Sequence, residues 1–181
     1  MGKPHKLTHN EAFILSEKLK SGDMICQRGH GFIARAIQWF GDGNWIPNHI
    51  APVVVRVSGR VMVEQVTKRY GVRPENAVDW LMRNHDIKIM RHPEPFDSLA
   101  FRLEMERLEG REYPKIHEFI KIAWKGDKSG DKRPMCAETW LRGGLKAGAV
   151  IACHPDNVHP DELWDISSSG GWEKVYDARS Y

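Results

Sequence analysis

Residues 49–66 read HIAPVVVRV, SG, RVMVEQV, and no other stretch of the chain limits its fold so tightly. Two runs rich in β-branched residues flank a Ser-Gly turn, which is the pattern of a β-hairpin. Pro52 cannot donate to a ladder, so it points to a sheet edge or a bulge. Around this hairpin the chain alternates short strands with helices. Thr8-x-x-Glu11 is a capping box, and EAFILSEKLKSG after it predicts a helix closing at Gly22. DMICQ and DIKIMRH predict two further strands. Phe32, Ile33, Ala36, Ile37 and Phe40 recur at helical spacing, as do Ile116, Phe119, Ile120, Ala123 and Trp124. RPENAVDWLMRN, with Pro74 near its first turn, and DSLAFRLEMERLEG predict two more helices. Another helix opens around Met135–Cys136 and runs to Gly143 or Gly148. HPDELWD predicts a short capped turn, and SSSGG a mobile stretch.

Such partly segregated helices and strands define an α+β class, a small antiparallel sheet or barrel packed against helices. A chain of 181 residues fits a single domain spanning 1–181. It divides into an N-terminal helix within 1–21, a core of about 21–165 and a mobile tail over 166–181, the bounds being those of the sequence pattern.

Charge excludes little by itself. The formal net charge of +3 permits an anionic partner, yet no dense Lys/Arg block marks a nucleic-acid site. The seven tryptophans are dispersed, as core or rim residues are, rather than gathered into a stacking platform. Three scattered cysteines do not make a disulfide framework, and a reducing compartment is expected. The N-terminal residues lack a signal-peptide core, MGKPHK departs from the myristoylation pattern at Lys6, and no apolar run reaches membrane-spanning length. The expected location is cytoplasmic.

Three residues are candidates for chemistry. Cys136 sits where a helix begins, and the unpaired N–H groups of a helix N-terminus favour a thiolate. They also favour an oxyanion beside it. The local sequence leaves it open whether Cys136 is that nucleophile or a small buried hydrophobe. His49 heads a strand, where a sheet can fix an imidazole as a general base; with nine histidines in the chain, a surface histidine is the alternative. Glu64 lies in the second hairpin strand. A simple Ser58–Gly59 turn pairs it with Val53, on the face of His49 but four residues further along. At about 3.4 Å per residue that is too far for a hydrogen bond unless Pro52 introduces a bulge. No CxxC pair is present, HEFIK departs from HExxH, and no GxSxG, Walker or GxGxxG motif occurs, so neither a metal nor a cofactor is expected.

The ordered set of segments resembles the circularly permuted NlpC-like cysteine hydrolases of the YiiX type. The segments are SGDMICQRGHGFIARAIQWFGDGNWIPNHIAPVVV, VMVEQVTKRYGVRPENAVDWL, GREYP, PMCAETW and HPDEL, over roughly residues 21–165. Gly22-Asp23 with MIC, His49, Glu64 and Cys136-Ala137-Glu138 match the family pattern in order. Ala51-Pro52 replaces its small glycine after the histidine, and Met135 its aromatic before the cysteine. The resemblance implies a papain-like fold with rotated order, Cys136 as nucleophile, His49 as base then acid, and Glu64 orienting the imidazole. It further implies amide, thioester or ester cleavage of a cell-wall peptide or lipid-linked acyl substrate. The alternatives are a non-catalytic binding module on the same fold and a nucleic-acid-binding protein.

Overall fold

The computed structural model describes residues 4–29, 45–67, 70–93, 95–112, 135–151, 153–154 and 158–180. The helices expected over 32–40 and 116–124 lie outside them. In chain order the elements are α1 (His9–Lys18), β1 (Met24–Gln27), β2 (His49–Val55), β3 (Val61–Thr67), β4 (Gly71–Asn76) and α2 (Ala77–Arg83). Then come β5 (Ile87–Arg91), α3 (Ser98–Leu108), α4 (Cys136–Lys146), α5 (Pro160–Ser169) and β6 (Glu173–Asp177). The strands form one six-stranded sheet in the order β4-β3-β2-β1-β5-β6, and every neighbouring pair is antiparallel.

Helices cover both faces. On one, Met24, Cys26, Ile50, Val54, Val66 and Met90 of the sheet pack against Phe101, Met105 and Leu108 of α3, Trp140 and Leu141 of α4, and Leu163 of α5. On the other, Ile25, Ala51, Val53, Val63 and Ile89 meet Ala12 and Leu15 of α1 and Trp80 and Leu81 of α2. A strand buried on both faces needs apolar residues in both registers. This is why β2 runs Ile50–Val54 without a polar interruption.

Three boundaries depart from the sequence expectation. α1 stops at Lys18, before Gly22. Gly22 instead makes the turn into β1 with φ +96°, and a Cβ there would stand 2.2 Å from the Phe96 ring. Pro74 lies in β4 rather than in a helix; β4 is an edge strand, where a missing N–H costs no ladder bond. α2 starts only at Ala77, because the Asn76 side chain caps the N–H groups of Val78 and Asp79. The third correction concerns the tail. Pro160 occupies the first turn of a ten-residue α5, and residues 173–177 pair with β5 as β6. The SSSGG stretch is the end of a helix and the turn into a strand, not a mobile terminus. Among the described residues no helix is long and apolar enough to cross a membrane.

Candidate active site

α4 begins at Cys136, and its first turn is held from two sides. The Glu138 carboxylate accepts the Met135 N–H at 3.1 Å, which is half of a capping box. Met135 has no side-chain oxygen to complete it. Arg142 one turn later pairs with Glu138 at 2.6–2.7 Å, so this buried acid is neutralised where it stands. Further along, the Trp140 indole N–H donates to the Gly22 carbonyl at 2.9 Å, tying α4 to the head of β1. A wholly buried tryptophan in that role is worth about 3–5 kcal/mol against alanine. The helix that carries the thiol is therefore rigidly seated on the sheet that carries the imidazole.

The Cys136 thiol and the His49 imidazole interact closely enough that each shifts the titration of the other. The backbone N–H groups of Ile50 and Ala137 also favour the thiolate. Burial alone would push this thiol up, but His49 and the two N–H groups outweigh it and hold the thiol below its ordinary value. Burial likewise disfavours the imidazolium, and the Cys136 sulfur together with Gln65 more than compensates, so the His49 pKa is raised. Both shifts favour a thiolate–imidazolium pair. The other two thiols move the opposite way, Cys26 and Cys153 both being raised chiefly by burial. Sequence reasoning named Cys136 and His49, and the fold brings them together.

It does not bring Glu64 to them. The side chain of Gln65, not that of Glu64, is the other polar neighbour that acts on the His49 ring. His49 Nε2 and the Gln65 amide nitrogen are both buried without a hydrogen-bond partner among the described residues. Glu64 is instead wholly buried and pairs with Arg56 Nη2 at 2.8 Å. The same guanidinium meets Glu106 at 3.1 Å and also Glu109. Burial first, and then Glu109, push the Glu64 carboxyl up to about 8 against the pull of Arg56.

The correction is a matter of register. Arg56 N–H donates to Arg60 O, and Gly59 N–H to Arg56 O, each at 2.9 Å. The hairpin loop is therefore Val57-Ser58-Gly59, with Gly59 at φ +80°, and Val53 pairs with Val63. A one-residue slip from the simple turn exchanges the two sheet faces. Val53 of β2 then shares a face with Val63 and, by alternation, Gln65 of β3, and Glu64 falls on the other. A three-residue loop with glycine last is a known hairpin class.

No family model matches the chain, and no curated protein matches it. Among solved structures, the fold is similar to that of the metalloprotein yiiX from Escherichia coli O157:H7, DUF1105. The TM-score is 0.54 at 17% identity, over 72% of this chain and 67% of that one. This likeness supports an α+β fold of the yiiX kind. Among the described residues no group of three or more His, Cys, Asp or Glu side chains could hold a metal ion. Cys136 and His49 are two such donors, with no third beside them among the described residues.

Proposed function

We propose that the protein is a cysteine hydrolase of permuted papain-like architecture that cleaves an amide, thioester or ester through an acyl-enzyme. The observation that carries this reading is the pairing of the Cys136 thiol, at a helix N-terminus, with the His49 imidazole at the head of a strand. The chain order, histidine strand before cysteine helix, agrees with the permuted arrangement.

In this reading the Cys136 thiolate attacks the acyl carbonyl, forming a C–S bond while the carbonyl electrons move onto oxygen. Free N–H groups in the first turn of α4, that of Cys136 foremost, face the developing oxyanion. The tetrahedral centre collapses, the bond to the leaving group breaks, and the His49 imidazolium supplies its proton. Water then attacks the thioester with neutral His49 as base, releasing the acid and restoring the thiolate. Gln65 holds the imidazole ring from β3 and is a positioning residue. The substrate class is a peptide or lipid-linked acyl group.

The test is labelling with a panel of acyl, peptide and lipid electrophiles, read by mass spectrometry, alongside turnover of the matching esters and thioesters. A covalent adduct on Cys136 that is lost in His49→Ala, with measurable turnover, supports the reading. Turnover that survives Cys136→Ala would overturn it. Saturable binding of a panel member with no adduct would favour a binding module.

A further inference from the structure

A row of residues crosses four strands on the sheet face covered by α4. Ile50 of β2 stands opposite Cys26 of β1, Cys26 opposite Lys88 of β5, and Lys88 opposite Asp177 of β6. At one end Ile50 packs in the same apolar cluster as Cys136. In the middle Cys26 is buried in the same apolar cluster as Cys136, and its thiol feels both Lys88 and Cys136. Towards the other end, the Lys88 ammonium lies 4.6 Å from the ring centroid of Trp45 and 5.2 Å from that of Trp164.

The ammonium is held in place rather than trailing in solvent. Trp45 and Trp164 meet edge to face at 4.8 Å. The Trp45 indole N–H is fixed at 3.0 Å by Asp86, which Arg179 in turn clamps at 2.8 Å. Asp177 approaches Lys88 at 3.3 Å and is shared with Lys174 at 3.5 Å. An ammonium carries three donors; the ring faces use charge rather than a lone pair, so donors remain beyond the one Asp177 takes. The side chain keeps 14% of its surface exposed.

We propose that Lys88, framed by Trp45 and Trp164, is a specificity-determining residue that receives a carboxylate carried by the acyl group attached to Cys136. This rests on the hydrolase reading above. Two strand spacings separate Ile50 from Lys88, or about 10 Å between Cα atoms. The lysine stem covers part of that distance, so the carboxylate belongs several bonds beyond the scissile carbonyl. A carboxylate-terminated acyl chain or an acidic peptide side chain meets that requirement, and a simple acetyl group does not.

Two alkylating probes of matched shape isolate the charge: N-bromoacetyl-β-alanine and its uncharged β-alaninamide counterpart. The quantity read is the ratio of their labelling rates at Cys136. In the wild type the anionic probe is expected to be favoured, and added salt to narrow the preference. Lys88→Met should cut the ratio at least about fivefold, with Lys88→Arg retaining most of it, as a charged partner requires. Lys88→Gln serves as the replacement where the methionine variant fails to melt cooperatively. A ratio unchanged in Met and Gln variants that label normally overturns the subsite while leaving the hydrolase reading standing. Failure of both probes to label Cys136 in the wild type removes the hydrolase reading, and the subsite with it.

Discussion

The Gln65 side chain reaches the imidazole of His49 from the neighbouring strand, and Glu64 beside it reaches Arg56 instead. Adjacent residues of one strand thus serve opposite faces of the sheet. One steadies the ring that partners the Cys136 thiol. The other joins a partly exposed charge cluster between the hairpin and the end of α3.

Gln65→Ala should therefore slow Cys136 alkylation and any turnover, by roughly tenfold on the scale of residues that orient a functional ligand. The pH profile should move with it, because Gln65 helps to keep His49 protonated. Glu64→Gln should leave both the rate at a given pH and the profile unchanged. Alkylation rates of the two variants across pH check this, and an altered profile in Glu64→Gln would return the orienting role to Glu64.

Cys136 should be the thiol that limited alkylation modifies first, ahead of Cys26 and Cys153. Its lowered pKa keeps the thiolate present below the usual thiol range near 8.5, and the raised His49 pKa keeps the imidazolium present above its usual value near 6.5. Reactivity should accordingly extend to lower pH than that of an ordinary thiol. His49→Ala removes the charge partner, so the thiol pKa rises and the rate at pH 7 falls by roughly tenfold or more. Peptide mapping after timed iodoacetamide exposure measures both effects.

The buried Glu64 carboxyl makes stability depend on pH in a defined direction. Its folded pKa, about 8, lies above the value of 4.5 for a free glutamic acid side chain. The folded state therefore binds the proton more tightly than the unfolded one. Its contribution is fully present below 4.5 and is lost as pH rises towards and through 8. Glu64→Gln mimics the protonated acid. It should melt within roughly 3 °C of the wild type at pH 5–6, a shift of under about 1 kcal/mol, and above the wild type at pH 9. Melting curves at the two pH values decide it, and a variant less stable than the wild type at pH 9 would count against a protonated Glu64.

Glu138 should matter for stability more than its place on a helix suggests. It accepts the Met135 N–H, pairs with Arg142 and is only 1% exposed. Glu138→Ala removes a buried carboxylate from beside Arg142 and the acceptor of one backbone donor, at a cost of about 2–4 kcal/mol. Glu138→Gln, which can still accept from Met135, should cost less. Chemical denaturation of both variants checks the order, and equal stability of Glu138→Ala and wild type would show the cap to be idle.

Much of this architecture is legible in local sequence because local forces decide it. Thr8 and Glu11 cap α1 through side chains three residues apart. The β-branched runs of β2 and β3 dictate strands, and the position of Cys136 after Met135 at a helix start follows from the pattern of α4. Cys136 and His49 can be marked as candidates from a helix N-terminus for the thiol and a strand for the imidazole, but it is the order of the segments, in its resemblance to a known family, that singles them out.

What the sequence could not determine was which side chains face one another once strands pair. Counting along β3 cannot show whether the hairpin loop holds two residues or three, and that single residue decides whether Glu64 or Gln65 meets His49. The tail poses the same problem on a larger scale. Glu173–Asp177 has no strong strand pattern and becomes β6 only because β5 offers it an open edge. Pro74 is tolerated in β4 because that strand ends the sheet on the other side. Register, edge and face are properties of paired strands, set by long-range hydrogen bonds and by burial on two faces. The tertiary structure alone placed Gln65 against His49 and buried Glu64 against Arg56.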